Sequence, residues 1–396
     1  MRILKLHNLH RSRGGENESY ESENRLLEQH GHTVKTLEFD NRSIPDNPSA
    51  GQAISLAVDT VWSAMSKSLV EDTIRLFRPN LVHVENTYPL ISPSAYAATK
   101  NLRTPVVHSV RNYRLVCPSA TLFRDGHYCE DCVGKIIPFP GVMHGCYQES
   151  RSKTAVTAAM LTVHRIRRTW TRDVDRYIAT SSYVRDRLVD GGVPARLISI
   201  KPNFVHPDPL TSVTSGSGAL FVGRLSREKG FTTLLDAWSR CAGCNLSIVG
   251  DGPLRDLAIS AANESAQVTF LGQQSAADVY DTMGSSAVIV VPSEWPEPFG
   301  RVIIESYAKG KAVIASRVGG IPEIVVNGQT GLLFEPGDSN DLAAKVRWAV
   351  EHPEEMRRMG ENARREYEAK YTPERNYEML MDIYEQAIAH ARQRRA

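Results

Sequence analysis

Short apolar runs alternate with longer amphipathic stretches along most of the chain. An apolar run at residues 2–6 is followed by a loop and by a polar helical pattern from about residue 19 to residue 30, and a second strand-like run covers residues 33–39. A strand, a helix and a further strand in succession form the repeating unit of a parallel sheet that helices cover. Four more strand-like runs follow in the first half, at residues 81–84, 105–110, 176–180 and 197–200. The pattern therefore predicts an α/β fold.

This alternation is interrupted near the middle of the chain. Residues 206–218 are rich in Pro, Ser, Thr and Gly, which is typical of a linker. We therefore predict two Rossmann-like domains, residues 1–207 and 208–375, that face each other across a central cleft. A last helix, residues 376–396, is predicted to cross back to the first domain. Ligands bind such sheets at the carboxyl ends of the strands.

Composition excludes several classes of protein. Of the 396 residues, 41% are hydrophobic, 23% are charged and six are cysteines, which is typical of a globular protein and not of a disordered chain or a disulfide-rich miniprotein. The longest apolar run, residues 287–291, is far shorter than the roughly 20 residues that span a bilayer. Residues 1–7 lack the pattern of a signal peptide. We expect a cytoplasmic protein with reduced thiols.

The net charge of +2 conceals an uneven distribution. Residues 1–207 contain 27 Lys and Arg against 20 Asp and Glu, whereas residues 208–396 contain 20 against 25. A basic first half favours an anionic partner, such as a membrane surface or a phosphorylated substrate. An uneven split without function is the alternative.

Two patterns in the second half carry candidate chemistry. Arg224 leaves the carboxyl end of a predicted strand and Lys229 lies near the start of the next helix, a placement that suits a diphosphate. In the proline-rich loop at residues 293–305, Gly300 lets the backbone approach a ligand, and Glu297 and Glu305 can accept hydrogen bonds from the hydroxyls of a sugar. Solvated surface charges are the alternative for both patterns.

With these motifs the chain resembles the retaining glycosyltransferases of family 4, which have the two-domain GT-B architecture. The resemblance extends over nearly the whole chain, with motifs in matching order and spacing. The matching stretches are the Gly14-Gly15 loop and residues 223–230, 249–253, 297–305, 318–325 and 328–333.

The resemblance implies a site for a nucleotide diphosphate sugar of UDP or GDP type. Arg224 and Lys229 would neutralise the diphosphate, Glu297 would bind the donor sugar and Glu305 would hold the ribose. The further positions implied to approach the donor are Gly15, Gly223, Gly250, Gly272, Phe299, Gly300, Arg301 and Val302. No metal cofactor is required for this chemistry, because cations and helix N-termini stabilise the leaving group.

The implied reaction transfers a sugar with retention of configuration, and the leaving phosphate helps to take the acceptor's proton. The acceptor is expected to be a glycan or a lipid-linked glycan of envelope polysaccharide synthesis, and no nucleic-acid partner is expected. A nucleotide-sugar 2-epimerase on the same fold and a non-catalytic zinc-bearing scaffold are the alternatives.

The sequence departs from the family at the strand predicted for residues 105–110. The family has a His six residues after Pro105, where this chain has Arg111. His108 lies three residues earlier, on the opposite face of the strand, which favours an interior role. We predict that Arg111 is a catalytic residue that contacts a donor oxygen or carboxylate, which would allow a uronic-acid donor.

Four of the six cysteines lie in a predicted insertion at residues 112–150. The spacing of Cys117, Cys129, Cys132 and Cys146 predicts a structural zinc site. Disulfides, redox thiols or plain thiols are the alternatives. Cys241 and Cys244 have no second pair nearby, and we interpret both residues as incidental thiols of a surface loop.

Residues 151–172 carry six Lys and Arg and no acid. Their apolar residues recur at helical spacing, at Val156, Met160, Val163, Ile166 and Trp170. A basic amphipathic helix can lie on an anionic membrane, or it can pack its apolar face on the sheet. The two are compatible, because the exposed basic face can contact lipid while the apolar face packs inward. We therefore expect peripheral contact with the inner face of the cell membrane.

Overall fold

The structure is a computed structural model that describes residues 1–11, 14–211, 216–241 and 243–394. Arg13 of the first loop, residues 212–215 of the predicted linker, Ala242 and Arg395 lie outside the described residues. The chain forms two compact units. The first unit comprises Met1–Leu122, Glu130–Pro202 and Tyr377–Ala396, and the second comprises Phe123–Cys129 and Asn203–Asn376.

A sheet of six parallel strands forms the centre of the first unit. The strands before the linker are β1 (Arg2–Leu9), β2 (Thr33–Asp40), β3 (Leu81–Asn86), β4 (Val106–Val110), β5 (Phe123–Arg124), β6 (His127–Tyr128), β7 (Arg176–Ala179) and β8 (Ile198–Ile200). Strands β5 and β6 pair with each other as a short antiparallel hairpin. The other six pair in parallel in the order β2-β1-β3-β4-β7-β8.

The helices of this half fall between the strands. They are α1 (Gly15–Gln29), α2 (Ala50–Val61), α3 (Ala64–Phe77), α4 (Ser94–Asn101), α5 (Phe139–His144), α6 (Arg151–Ile166), α7 (Thr169–Arg172) and α8 (Ser182–Asp190). All residues of β3 and β4 are buried, because helices cover both faces of a parallel sheet.

The second unit is also built on a sheet of six parallel strands. Its strands are β9 (Ala219–Val222), β10 (Leu246–Val249), β11 (Val268–Gly272), β12 (Val288–Val291), β13 (Val313–Ser316) and β14 (Gly331–Phe334). They pair in parallel in the order β11-β10-β9-β12-β13-β14. The helices are α9 (Phe231–Trp238), α10 (Arg255–Glu264), α11 (Ala276–Ser285), α12 (Arg301–Ala308), α13 (Ile321–Ile324), α14 (Ser339–Glu351), α15 (Pro353–Lys370) and α16 (Pro373–Gln393).

Helix α16 returns the chain to the first unit. Leu380, Ile383 and Tyr384 join the core cluster that contains Ile3 and Leu81 of the first sheet. The predicted α/β class, with two mostly parallel sheets and a last helix on the first unit, is therefore confirmed.

Each sheet has one point at which successive connections leave in opposite directions. This switch lies between β1 and β3 in the first unit and between β9 and β12 in the second. Loops diverge there at the carboxyl edge and leave a crevice, which is where open α/β sheets bind ligands.

Two predicted helices differ from the observed ones. Helix α1 begins at Gly15, four residues before the predicted start, and Glu16 and Glu18 in its first turn suit the positive end of the helix dipole. The helix predicted for residues 151–172 is broken, because Arg168 is left-handed with φ 58°. Ile166, predicted on the apolar face, is 69% exposed.

Candidate functional site

The loops that leave β9, β10 and β11 lie together at the carboxyl edge of the second sheet. The Gly223 N–H donates to Val249 O at 3.0 Å, and the Gly250 N–H donates to Gly272 O at 2.9 Å. A Cβ atom on Gly250, where φ is 144°, would lie 1.8 Å from Gly223 O. The glycine at this position lets two loops touch and leaves a backbone surface at the switch point.

The two cationic side chains that are predicted to bind a diphosphate lie on the loop after β9. Arg224 is exposed, and it forms no ion pair among the residues that the structure describes. Lys229 ends a short 3-10 turn, after which Gly230 takes a left-handed conformation and begins α9. A Cβ atom on Gly230 would lie 1.7 Å from Pro292 O, so this loop is pressed against the loop that follows β12.

Lys229 and Glu297 are brought together by that contact. The Lys229 ammonium donates to Glu297 Oε1, and the Ser293 hydroxyl donates to the same oxygen at 2.8 Å. The Lys229 Nζ also lies 5.1 Å from the centre of the Trp295 ring. The Glu297 side chain is only 8% exposed, against 29% for Lys229. The carboxylate is therefore held in place while the ammonium still reaches solvent.

The backbone of Glu297 is fixed from the other side. The Gly320 N–H donates to Glu297 O at 2.8 Å. Gly319 has φ 59°, and a Cβ atom there would lie 2.5 Å from Glu297 O. Because a side chain at Gly319 would collide with the Glu297 backbone, the glycine lets the two loops touch and fixes the backbone of Glu297.

Helix α12 begins directly after this loop. Gly300 is left-handed with φ 76° and forms its N-cap. The Arg301 Nε donates to Glu305 Oε1 at 2.7 Å, one turn along the helix. Phe299 is buried against Tyr371, and Val302 is half-buried. A ligand therefore meets the backbone at Phe299 and not its ring.

Taken together, the loops after β9 and β12 present an exposed arginine, a half-exposed lysine, two fixed carboxylates and a helix N-terminus. The cations and the helix N-terminus favour an anionic ligand. The carboxylates accept hydrogen bonds from hydroxyl groups. The arrangement suits a ligand that joins phosphate groups to sugars.

The switch point of the first unit holds a buried ion cluster that the sequence analysis missed. Lys5 Nζ lies 2.6 Å from Glu23 Oε1 and 2.8 Å from Glu85 Oε1. Lys201 Nζ lies 3.0 Å from Glu23 Oε2, and Arg111 Nε lies 2.9 Å from Glu85 Oε2. All five side chains are at most 8% exposed.

Burial alone would raise the pKa of the Glu23 carboxyl, but the ammonium groups of Lys5 and Lys201 outweigh burial and lower it. Burial and Lys5 together lower the pKa of His83 to about 3, so this imidazole is neutral. It is hydrogen-bonded to the Tyr384 hydroxyl at 2.7 Å and to the Ser109 hydroxyl at 2.8 Å. The ion pairs described above therefore join three cations to two carboxylates.

Glu23, His83 and Glu85 also bring three ligand atoms within 4.8 Å of one another. This spacing would suit a metal ion, but the Lys5 ammonium already contacts both carboxylates. We therefore assign the group to an internal ion cluster and not to a metal site.

The interior role predicted for His108 is confirmed. It is buried, its Nδ1 is hydrogen-bonded to the Tyr96 hydroxyl at 2.7 Å, and burial lowers its pKa to about 4. Arg111, which follows β4, lines a small cavity of about 30 Å³ with Tyr88, Ser109 and Arg114. Its predicted contact with a donor stays a prediction, as does that of Gly15, which is the first residue of α1.

The insertion cysteines are divided between the units. Cys117, Cys132 and Cys146 belong to the first unit and Cys129 to the second. The Cys117 thiol is hydrogen-bonded to the Ser119 hydroxyl, and two of the other cysteines, Cys132 and Cys146, lie at Gly141. A Cβ atom there would lie 3.0 Å from Pro118, next to Cys117, and 3.4 Å from Cys132 Sγ, and the Cys146 N–H donates to Gly141 O at 3.0 Å. The zinc site stays a prediction.

The surface position expected for Cys241 and Cys244 is wrong. Both thiols are buried in the core of the second unit, where burial raises the pKa of Cys244 to about 11. The two residues act as small apolar side chains of this core.

A signal for the missed cluster was present in the sequence. Lys5 lies between Leu4 and Leu6, and His83 and Glu85 interrupt the apolar run of β3. A charge inside a strand that both faces bury needs a partner. The partners Glu23 and Lys201 come from distant parts of the chain, and nothing local marks them.

Two family models match nearly the whole chain between them. The model described as Glycosyltransferase Family 4 matches residues 25–209, and the model described as Glycosyl transferases group 1 matches residues 211–366.

Curated relatives match parts of the chain. The uncharacterized glycosyltransferase MJ1178 of Methanocaldococcus jannaschii is 33% identical over 220 residues, which are 54% of this chain and 61% of the relative. The chain thus spans less than two thirds of the length of this relative. The lipopolysaccharide core biosynthesis glycosyltransferase LpsE of Rhizobium meliloti is 24% identical over 314 residues, which are 72% of this chain and 90% of that protein.

Solved structures share the fold over nearly the full length. Sucrose-phosphate synthase from Thermosynechococcus elongatus has a TM-score of 0.72 at 21% identity, covering 98% of this chain and 99% of that one. HepE of Anabaena in complex with UDP-glucose has a TM-score of 0.66 at 19% identity, covering 97% and 99%.

The ion cluster is expected to contribute to the free energy of unfolding. Glu23→Gln removes the charge that faces the buried Lys5 and Lys201 ammonium groups, and we expect it to lower the free energy of unfolding by about 3–5 kcal/mol. Glu21→Gln, on the same helix but in an exposed pair with Arg25, should cost less than about 1 kcal/mol. Urea denaturation at pH 7 measures both. Equal costs would contradict the assigned role of the cluster.

The lowered pKa of Glu23 also implies that the free energy of unfolding falls in acid. Because the pKa of Glu23 is lowered in the folded protein, its contribution to stability is complete above its ordinary pKa of 4.5 and is lost as the pH falls below it. The wild type should therefore lose more stability between pH 5 and pH 3 than the Glu23→Gln variant. Parallel curves for the two proteins would refute this assignment.

Proposed function

Because the chain belongs to family 4 of the glycosyltransferases, with their GT-B fold, we propose that it transfers a sugar from a nucleotide diphosphate sugar to a hydroxyl of a glycan or lipid-linked glycan. The observation that carries the proposal is the pairing of Lys229 with Glu297 beside Arg224, at the switch point of the second sheet. This is where a sheet of this order takes its ligand.

In the proposed complex the donor lies along the loops after β9 and β12. Arg224 and Lys229 neutralise the diphosphate, and the N-terminus of α12 adds backbone N–H groups. Glu305, which Arg301 orients, accepts hydrogen bonds from the ribose. The nucleobase lies beside Gly250 and Gly272, where the loops after β10 and β11 meet.

Glu297 has a positioning role in this proposal. Its Oε1 already accepts hydrogen bonds from Lys229 and Ser293, which leaves Oε2 for a hydroxyl of the donor sugar. Because Lys229 and Ser293 hold this carboxylate, we assign it to binding the donor and not to attacking the sugar. In the proposed reaction the proton of the acceptor goes to the leaving phosphate on the same face of the sugar, and the configuration is retained.

The proposed substrates follow from chemistry and similarity. HepE is described in complex with UDP-glucose, which supports a UDP-sugar donor here, with a GDP-sugar as the other option. LpsE is described as acting in lipopolysaccharide core synthesis, which supports an envelope glycan as acceptor. No helix in the described parts of the chain has the length and apolar character to cross a bilayer, and we propose peripheral contact through the basic helix α6.

We expect donor nucleotides to stabilise the protein and Lys229 to be needed for it. A thermal-shift screen should find one nucleotide diphosphate sugar that raises Tm. Lys229→Gln should weaken its binding and lower kcat/KM by about a hundredfold or more, because the leaving group loses a charge. Lys345→Gln, an exposed lysine of the same unit paired with Asp341, is the matched control.

Two outcomes would contradict the proposed glycosyl transfer. One is that no nucleotide sugar raises Tm, which would favour a non-catalytic scaffold. The other is that the nucleotide is released at full rate without any acceptor, which would favour a 2-epimerase.

Arg111 is proposed to bind an anionic group of a substrate. Arg111 is held in the buried cluster by Glu85 and Glu23, and it also lines a cavity, where its guanidinium can meet an anionic group. We expect Arg111→Gln to reduce the thermal shift given by a uronic-acid donor more than the shift given by a neutral-sugar donor. An equal reduction with both donors would mean that Arg111 has only a structural role.

We also propose that the insertion cysteines bind zinc. The spacing of Cys117, Cys129, Cys132 and Cys146 in the sequence supports this, since four thiolates are a common ligand set of structural zinc. Elemental analysis should find about one zinc per chain in the wild type and much less in Cys132→Ala. Cys241→Ala, in the other unit, should keep the wild-type content. Zinc-free wild type would refute the proposal.

A further inference from the structure

The insertion presents an unusual group of apolar side chains to solvent. Ile136 is 62% exposed, Ile137 and Phe139 are each 59% exposed, and Met143 is 54% exposed. Single exposed apolar residues are normal on a protein surface, but four large ones within eight residues form a patch. We name these four side chains the insertion patch.

The backbone of this segment is held firmly to helix α6. The Arg165 guanidinium donates to the carbonyls of Lys135 and Ile136, and the Arg151 Nε donates to Met143 O at 3.0 Å. The Phe139 N–H also donates to Ile137 O at 2.9 Å. Because the carbonyls face α6, the apolar side chains are held outward. Their exposure is a fixed feature and not a consequence of a loose loop.

The surroundings of the insertion patch are strongly basic. Residues 133–172 contain seven Lys and Arg and a single acid, Glu149. Lys135, Lys153, Arg167, Arg168 and Arg172 are exposed, and Lys135 directly precedes the patch in the chain. Apolar side chains next to cations match the two layers of a bilayer interface, in which acyl chains lie beneath phosphate headgroups.

We propose that the insertion patch docks into a membrane surface that contains anionic phospholipids. Ile136, Ile137, Phe139 and Met143 enter the boundary between headgroups and acyl chains, and the exposed cations of the insertion and of α6 contact lipid phosphates. This places the proposed membrane contact on the insertion, with α6 as its basic flank and its support. The docking adds a partner to the proposed glycosyl transfer but does not depend on a bound donor.

Cosedimentation with vesicles tests the apolar part of the surface. The wild type should bind vesicles of phosphatidylcholine with 30% phosphatidylglycerol and should bind pure phosphatidylcholine weakly. The double variant Ile137→Ser/Phe139→Ser should bind the mixed vesicles about tenfold less or weaker still. Leu257→Ser/Val350→Ser, which replaces two exposed apolar residues of the second unit, should bind like the wild type.

A second pair of variants tests the charges. Lys135→Gln/Arg168→Gln should reduce binding to the mixed vesicles by about thirtyfold at low salt, because each cation near an anionic surface contributes about 1 kcal/mol. Arg358→Gln, an exposed arginine of α15, should leave binding unchanged. Binding of all variants equal to that of the wild type would overturn the proposal.

The test also separates other occupants of the patch. A wild type that ignores vesicles but self-associates, and becomes monomeric in Ile137→Ser/Phe139→Ser, would make the patch an interface between copies of this chain and would overturn the proposal. Vesicle binding is measured without nucleotide, and the thermal shift is measured without lipid. A failure of the docking is therefore distinguishable from a failure of the glycosyl transfer.

Discussion

Parallel strand pairing is the constraint on which both units depend. In a parallel sheet every strand ends at the same edge, so the loops that can carry chemistry all lie at that edge. In the second unit this brings Arg224, Lys229 and Glu297, from loops about seventy residues apart, to one switch point. Glycines make the arrangement possible, because Gly230 and Gly319 let neighbouring backbones touch where a side chain would collide.

The charged side chains of the two units differ in their exposure to solvent. In the second unit Arg224 and Lys229 remain partly open to solvent, where the proposed diphosphate can reach them. In the first unit Lys5, Arg111 and Lys201 are enclosed with Glu23 and Glu85. Removing one charge from such a cluster is costly. In the first unit the ion cluster thus holds Arg111 in place at the edge of a cavity.

Much of the fold could be predicted from the sequence because the strands of parallel sheets are short apolar runs with distinct boundaries. The pairing of Lys229 with Glu297 could be expected in outline, since both follow strands that meet at the switch point. The ion cluster could not be located, because its members come from β1, α1, β3, the residue after β4 and the residue after β8. The break between α6 and α7 could not be predicted either, because left-handed Arg168 has no local signature.

The central claim is that the second unit positions a donor and that no carboxylate attacks or acts as a base. The configuration of the transferred sugar tests it most directly. A ¹H NMR time course with the α-linked donor found in the thermal-shift screen would follow the anomeric signal of the first product. The account predicts an α-linked product. A β-linked first product would contradict it, because inversion needs a base on the opposite face of the sugar.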